Sequence, residues 1–96
     1  MSQEGIMFVE GYDSAIIGIQ ETDNDVYVVI YDKWAMVGVY QALHPDATWE
    51  DAVEDLSFNT WGAYMGELTP VFMHTFSGTG EERRLDAEEY FYDMTE

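Results

Sequence analysis

Four carboxylates at helical spacing are the residues whose types and positions could carry chemistry. Glu50 and Glu54 lie four residues apart, and so do Asp51 and Asp55. On a helix such residues are neighbours, with Cβ atoms about 5–6 Å apart, close to the spacing of consecutive phosphates along a strand. The helix could therefore present negative charge as DNA does. Like charges at this spacing weaken a helix by a few tenths of a kcal/mol. A plain solvated helix face is the alternative, and this helix alone does not separate the two.

The charge of the whole chain supports the same interpretation. Its 96 residues include 20 Asp and Glu but only 3 Lys and Arg, for a formal net charge of -17. Solubility of a small domain requires a magnitude of roughly 2–8, and the excess repels itself and destabilises the compact state. The charge argues against direct binding to nucleic acid or an anionic membrane, because neutralising phosphates takes Lys and Arg. Salt adaptation is the alternative explanation of the charge.

A second acidic segment follows the small-residue stretch 77–80. Residues 81–96 hold seven acidic and two basic side chains, and thus -5 of the total charge. Apolar side chains at 87, 90, 91 and 94 have helical spacing, which is typical of an amphipathic helix. We predict a compact domain over 1–76 and an acidic tail or short helix over 77–96. The tail residues expected to bind a partner are Glu81, Glu82, Asp86, Glu88 and Glu89.

Aromatic side chains next to the carboxylates would complement a charged binding face. Phe58, Trp61 and Met65 lie off the apolar stripe of the second helix, at i, i+3 and i+7. Aromatic residues and Met are enriched in interface cores. We include Phe58 and Trp61 among the partner-binding residues. The alternative is that a second layer of the protein, such as the tail, covers them.

Other kinds of site have little support in the sequence. There is no cysteine, so neither disulfides nor thiolate metal sites can form. His44 and His74 lie on different predicted elements, and the acidic run 23–25 lacks the Gly and distal Glu of a calcium loop. No serine lies in a Gly-x-Ser-x-Gly turn. We expect no catalytic residue, no metal and no cofactor.

The elements that must position these residues follow from local patterns. Residues 15–19 and the β-branched, aromatic run 26–31 predict an antiparallel hairpin. Asp32 is a suitable N-cap for a helix from Lys33 to about Leu43. Thr48 and Asp51 form a capping-box pattern that opens a second helix, expected to reach residue 64 or 65 and to stop at 66. Residues 71–76 predict a further strand. The fold class is therefore α+β, a small antiparallel sheet of three or four strands packed with two helices, in the order β-β-α-α-β plus the tail.

Several short stretches resemble a group of small, acidic, largely uncharacterised bacteriophage and prophage proteins. They are residues 11–18 (GYDSAIIG), 29–33 (VIYDK), 48–54 (TWEDAVE), 59–64 (NTWGAY) and 66–72 (GELTPVF). The resemblance covers about residues 10–73, and the tail after residue 77 lies outside it. It implies a phage origin and an intracellular setting, and it brings no catalytic residue with it.

These features predict an acidic phage protein that inhibits a host complex by occupying its basic nucleic-acid channel. Restriction enzymes, CRISPR effectors, nucleases and RNA polymerase are the expected classes of target, in the cytoplasm of the host cell. The alternative is a non-catalytic protein–protein interaction module whose charge serves solubility or salt adaptation. A second copy of the chain is a further partner to consider, because pairing would bury aromatic surface. The N-terminus has no signal-peptide pattern.

Overall fold

The chain forms its elements in the predicted α+β order. The structure is a computed structural model that describes residues 3–95. The α+β class and the β-β-α-α-β order are confirmed, and a third helix follows. The elements are β1 (Ile16–Glu21), β2 (Tyr27–Asp32), α1 (Lys33–Leu43), α2 (Trp49–Leu56), β3 (Val71–Met73) and α3 (Gly80–Met94), with a 3-10 turn at Asp13–Ala15 and a π-helical turn at Ser57–Trp61.

Strands β1 and β2 form the predicted antiparallel hairpin. Their pairing runs from Ile16 opposite Tyr31 to Glu21 opposite Tyr27, with an irregularity between Ile16 and Gly18. The connecting turn includes Asp25 at a φ of 60°, a left-handed conformation that Asp tolerates better than most residues. Strand β2 supplies much of the core, whereas β1 is exposed along nearly its whole length.

The sheet is mixed, and not antiparallel throughout as we expected. Strand β3 pairs parallel to β2, with Ile30 opposite Val71 and Asp32 opposite Met73. The reason lies in the connection, because β2 runs directly into α1 and the chain returns to the sheet only after α2. A crossover through helices brings the next strand back in the same direction. The strand is also shorter than predicted, since it ends at Met73 and not at residue 76.

Both central helices begin at the predicted caps. The Asp32 side chain accepts a hydrogen bond from the backbone N–H of Trp34 at 3.0 Å, and α1 has the predicted bounds. At the start of α2, the Thr48 hydroxyl accepts from the Asp51 N–H, and the Asp51 carboxylate accepts from the Thr48 N–H, each at 3.1 Å. The capping box satisfies two N–H groups that no helical carbonyl can reach.

The second helix ends earlier than the sequence suggested. Its α-helical part stops at Leu56, and the chain continues as the π-helical turn Ser57–Trp61. The prediction of a helix to residue 64 or 65, stopped at Gly66, was therefore wrong. Gly66 has a φ of 99°, but it lies in a later turn closed by a hydrogen bond from the Thr69 N–H to the Gly66 carbonyl at 3.1 Å.

The π-helical turn has a packing reason. In an unbroken α-helix, Trp61 would follow Glu50 by about three turns and share its solvent-facing side. The wider turn rotates Trp61 towards the core, where its ring packs against the buried cluster. Its indole Nε1 donates to the Met36 sulfur at 3.4 Å. A tryptophan that the α-helical period assigns to the acidic face thus becomes part of the core.

The core lies between β2 and the two central helices. It consists of Ala15, Val29, Tyr31, Met36, Val37, Ala52 and Leu56. The N-terminal segment, which forms no strand, is held to β2 by two kinds of contact. The Gln3 amide bonds both backbone groups of Tyr27, and the Tyr31 hydroxyl accepts from the Val9 N–H at 2.8 Å. Among residues 3–95, no helix has the length and apolar character needed to cross a membrane.

Candidate protein-binding surfaces

The acidic face of α2 lies opposite its buried side. Ala52 and Leu56 are buried, whereas Glu50, Asp51 and Glu54 are exposed. Both acids of the first turn are also favoured by the positive end of the helix dipole. Asp51 additionally holds the capping box, so its carboxylate has a structural role that the sequence pattern already indicated.

Asp55, the fourth predicted carboxylate, turns towards the body of the protein. It is half-buried and accepts a hydrogen bond from the side-chain amide of Asn59. Hydrogen bonding to Asp55 raises the pKa of the Tyr40 hydroxyl. Burial raises the pKa of Tyr12, and the Asp55 charge adds to that increase. Asp55 therefore interacts with neighbouring polar groups of the fold, while Glu50 and Glu54 extend into solvent.

Phe58 lies at the C-terminal end of this face, in the π-helical turn that follows α2. Its side chain is 86% exposed and lines a shallow depression together with Asp51, Glu54 and Asp55. We call Glu50, Asp51, Glu54, Asp55 and Phe58 the α2 patch. An exposed aromatic ring among carboxylates can contact the methylene stem of a Lys or Arg while the acids neutralise its charge.

Trp61 does not belong to this patch, although the sequence placed it with Phe58 and Met65. It is half-buried, and the Lys33 ammonium lies 4.9 Å from the centre of its ring. Met65 is exposed but lies in the loop after the π-helical turn. The expectation of an aromatic group spaced along one helix face fails here because the helix does not continue as an α-helix.

Helix α3 carries the acidic residues predicted in the tail. All five are exposed, namely Glu81, Glu82, Asp86, Glu88 and Glu89. Asp93, which was not among the predicted residues, is also exposed, and its position four residues after Glu89 on the same helix would have indicated it. The helix begins at a second capping box, between Thr79 and Glu82, whose hydrogen bonds lower the pKa of the Glu82 carboxyl. Within residues 3–95, the ion pair of Arg84 with Glu88 at 3.3 Å is the one salt bridge found.

An aromatic row connects α2 to α3 across the body. Trp49 stacks on Trp34 with ring centres 5.0 Å apart, and Trp34 contacts the His74 ring at 4.4 Å. His74 then contacts Tyr90 of α3 at 4.5 Å. The Nδ1 atom of His74 is buried without a hydrogen-bond partner. Burial lowers the pKa of His74, and the nearby Lys33 charge lowers it further, against an opposing effect of Asp32.

No local pattern indicated this row, because its four rings come from four separate segments. Trp49 and Trp34 stand at the starts of two helices, His74 directly follows β3, and Tyr90 lies within α3. Only the parallel return of β3 brings His74 beside Trp34. The row is one of the few contacts that α3 makes with the body.

A cleft beside the N-terminal segment offers little chemistry. It has a volume of about 190 Å³ and lies between the N-terminal segment, the π-helical turn and the start of β3. The side chains that line it are apolar or neutral, namely Met7, Phe8, Val9, Asn59, Thr60, Ala63, Met65, Thr69, Pro70 and Phe72. General acid–base catalysis needs a titratable group in reach of the substrate, and this lining provides none. In the described part of the chain, no three His, Asp or Glu side chains are grouped so that they could hold a metal ion.

Comparison with known proteins finds no family model, no curated protein and no solved structure that matches this chain. The resemblance to phage proteins therefore stays a prediction. The features of the chain that could contact a partner are its two acidic helices and its exposed aromatic rings.

Proposed function

We propose that this protein is a phage-encoded acidic inhibitor that occupies the basic nucleic-acid channel of a host DNA- or RNA-binding complex. One observation carries the proposal. Of the acidic residues in the described range 3–95, all but Asp32 and Asp55 are exposed, and a single ion pair there neutralises one of them. Most of the acidic charge behind the net charge of -17 is thus exposed to solvent and not neutralised by ion pairs within the fold.

The arrangement of the charges adds to this support. Helices α2 and α3 each present several carboxylates on one side, as a nucleic-acid strand presents phosphates. A negative surface of this kind speeds the encounter with a basic cleft, and it disfavours partners of like charge. Phe58 in the α2 patch can exclude water from some of the charge pairs, which strengthens them. The host complex would be a restriction enzyme, a CRISPR effector, a nuclease or a polymerase, encountered in the host cytoplasm.

To test the proposal, the full chain is immobilised and incubated with nuclease-treated bacterial lysate. The expected partner is a nucleic-acid-binding protein that a short DNA or RNA duplex displaces from the immobilised chain. Binding should weaken steeply as salt rises to physiological strength, because the Debye length shortens to about 8 Å. A partner without a basic groove, or binding that is indifferent to both salt and duplex, would contradict the proposal.

A pair of charge variants separates the α2 patch from charge in general. Glu50→Gln with Glu54→Gln removes two patch carboxylates that take no part in the capping box and are exposed. Glu21→Gln with Glu67→Gln removes two exposed carboxylates elsewhere, so both variants change the net charge by the same two units. An exposed ion pair is worth about 0.2–1 kcal/mol, so the patch variant, which loses two, should lose about 2- to 30-fold in affinity. The control should lose much less, and equal losses would mean that the patch is not the binding face.

The alternative function is a non-catalytic interaction module, and exposed aromatic rings favour it. Phe58 is 86% exposed and Tyr64 is 81% exposed, and aromatic rings are enriched in the cores of protein interfaces. For such a module, Phe58→Ala would abolish partner binding, whereas the Glu50 and Glu54 variant would leave it unchanged. Salt would then have little effect on the complex.

A further inference from the structure

The two edges of the sheet differ in how they are protected. Strand β3, at one edge, has only three residues. In the part of β2 that β3 does not reach, the Gln3 amide bonds both backbone groups of Tyr27. Strand β1 forms the other edge and has six residues, and within residues 3–95 no further strand pairs with its outer side. An unpaired edge of this kind is a template for another extended chain.

Alternate residues of β1 direct their backbone groups away from β2. The hairpin is closed by a hydrogen bond from the Thr22 N–H to the Val26 carbonyl at 2.8 Å, so the even-numbered residues of β1 are those that bond β2 in the antiparallel ladder. Ile19 and Glu21 alternate with them, and their N–H and C=O groups therefore point to the open edge. Tyr27, opposite Glu21, likewise directs its backbone groups out of the hairpin, since they are bonded on the far side of β2.

This open edge lacks the usual protection. Natural sheets protect exposed edges with lysine, proline or a covering segment, and the sequence of β1, IIGIQE, contains neither lysine nor proline. Ile17 is 49% exposed and Ile19 is 58% exposed. The irregularity in pairing lies between Ile16 and Gly18, at the start of the strand. The rest of the edge is regular, and it is apolar at Ile19 and acidic at Glu21.

The charges along this part of the chain are all negative. Residues 1–32 contain seven Asp and Glu side chains and neither Lys nor Arg. Glu21 lies in the strand, Asp23 and Asp25 lie in the turn that follows it, and all three are exposed. Opposite charges on neighbouring strands stabilise a sheet, whereas like charges directly opposite each other destabilise it. The edge therefore favours a basic strand, and it disfavours a second copy of the chain, which would bring the same acidic β1.

We propose that the open edge of β1 binds an extended basic segment of a partner protein, which joins the sheet as a fourth strand. In this mode of recognition, main-chain hydrogen bonds give affinity and alternate side chains give specificity. The antiparallel direction is expected, because it is the more stable per residue. Ile19 and Glu21 lie on one face of the sheet, so the segment carries an apolar residue opposite Ile19 and Lys or Arg opposite Glu21. The edge shares no residue with the α2 patch, and this binding goes beyond the function proposed above and does not depend on it.

A short peptide tests the edge directly. The probe is the acetylated and amidated peptide Lys-Thr-Lys-Thr-Val-Thr-Val, whose lysines and valines share one face of a strand and whose residues other than lysine favour extended backbone. Titration calorimetry with the full chain should show binding of one peptide per chain. The same peptide with a methyl group on every backbone nitrogen keeps the charges but cannot donate to the edge, so its affinity should be about tenfold lower or less. A basic peptide that does not bind, or equal affinity of the two peptides, would overturn the proposal.

Amide hydrogen exchange locates the bound peptide. In the free chain, the amides of Ile19 and Glu21 should exchange fast, whereas those of Gly18 and Gln20 are protected by their bonds to β2. Saturation with the basic peptide should slow exchange at Ile19 and Glu21 about tenfold or more, because both N–H groups then donate to the added strand. Unchanged exchange at these two amides with the peptide bound would show that it binds elsewhere, and would overturn the proposal.

Two lysine variants separate the edge from charge in general. Ile19→Lys places at the edge the residue type by which natural sheets reject added strands. Leu43→Lys makes the same change in charge at the end of α1, where the side chain is 59% exposed. Peptide affinity should fall about tenfold in Ile19→Lys and less than about twofold in Leu43→Lys, and equal losses would overturn the proposal. The Glu50 and Glu54 variant should bind the peptide as the natural chain does, so this proposal and the function above can fail separately.

Discussion

Removal of one buried oxygen atom should loosen the N-terminal segment and destabilise the whole domain. Tyr31 is fully buried in β2, with 0% of its surface exposed. Its hydroxyl accepts the hydrogen bond of the Val9 N–H at 2.8 Å, and its ring centre lies 5.7 Å from that of Phe72. Tyr31→Phe keeps the ring and its packing but leaves the Val9 N–H without its acceptor.

The size of the effect follows from the position of that N–H group. A buried donor left without a partner costs about 1–3 kcal/mol, whereas an exposed one bonds to water at little cost. Val9 is half-buried, so we expect the free energy of unfolding to fall by about 1–2 kcal/mol. In a domain of this size, each kcal/mol shifts the Tm by about 4–8 °C, which gives a decrease of roughly 5–15 °C.

Urea unfolding followed by tryptophan fluorescence measures this change. The slope m should stay constant while the midpoint falls, because the surface exposed on unfolding is nearly the same. Hydrogen exchange of the Val9 amide should accelerate more than that of core amides in α1. Tyr64→Phe, which removes a hydroxyl from an 81% exposed ring, is the control. If both variants change stability by less than about 0.5 kcal/mol, the Tyr31 hydroxyl does not anchor the segment and the reasoning fails.

Two further predictions concern the contact between α3 and the body. Burial and Lys33 lower the pKa of His74 in the folded chain. The unfolded chain therefore binds the His74 proton more tightly than the folded chain does. The contribution of His74 to stability is thus lost as the pH falls below the ordinary histidine pKa of about 6.5. The free energy of unfolding of the natural chain should therefore fall relative to that of His74→Gln between about pH 7.5 and 5.5, while His44→Gln should retain the dependence; parallel curves for the natural chain and His74→Gln would contradict this. Thr48→Ala should lower the free energy of unfolding by about 1 kcal/mol, because Thr48 caps α2, which is packed against the core. Thr79→Ala should lower the helical circular dichroism signal of α3 with little effect on the urea midpoint. Equal shifts of the midpoint would mean that α3 unfolds together with the body.

Local chemistry predicted most of the fold. The caps at Asp32 and Thr48 marked the starts of α1 and α2, because a side-chain oxygen at that position accepts from N–H groups that have no partner within the helix. The β-branched and aromatic run 26–31 predicted the central strand, since those side chains fit a pleated surface with neighbours on both sides. In each case the deciding interactions lie within a few residues of one another along the chain.

Long-range packing decided the features that the sequence did not predict. The direction of β3 depends on where the chain emerges after α2, which no local pattern records. The π-helical turn exists because Trp61 has a place against Met36, a residue 25 positions earlier. The aromatic row needs four separate segments to come together, with His74 between Trp34 and Tyr90. These outcomes follow from the shape of the assembled core, so spacing along the sequence could not reveal them.

The candidate surface shows why the spacing of acidic residues alone assigns too many of them to a binding site. Nine carboxylates were predicted to contact a partner, and at least three of them serve the fold. Asp51 and Glu82 complete capping boxes, and Asp55 is half-buried beside Tyr40. Substitution of all nine would weaken α2 and α3 as well as any complex, and the loss of binding would then have two causes. Glu50 and Glu54 share the same face without such roles, so their removal changes the charge offered to a partner and leaves the helix intact.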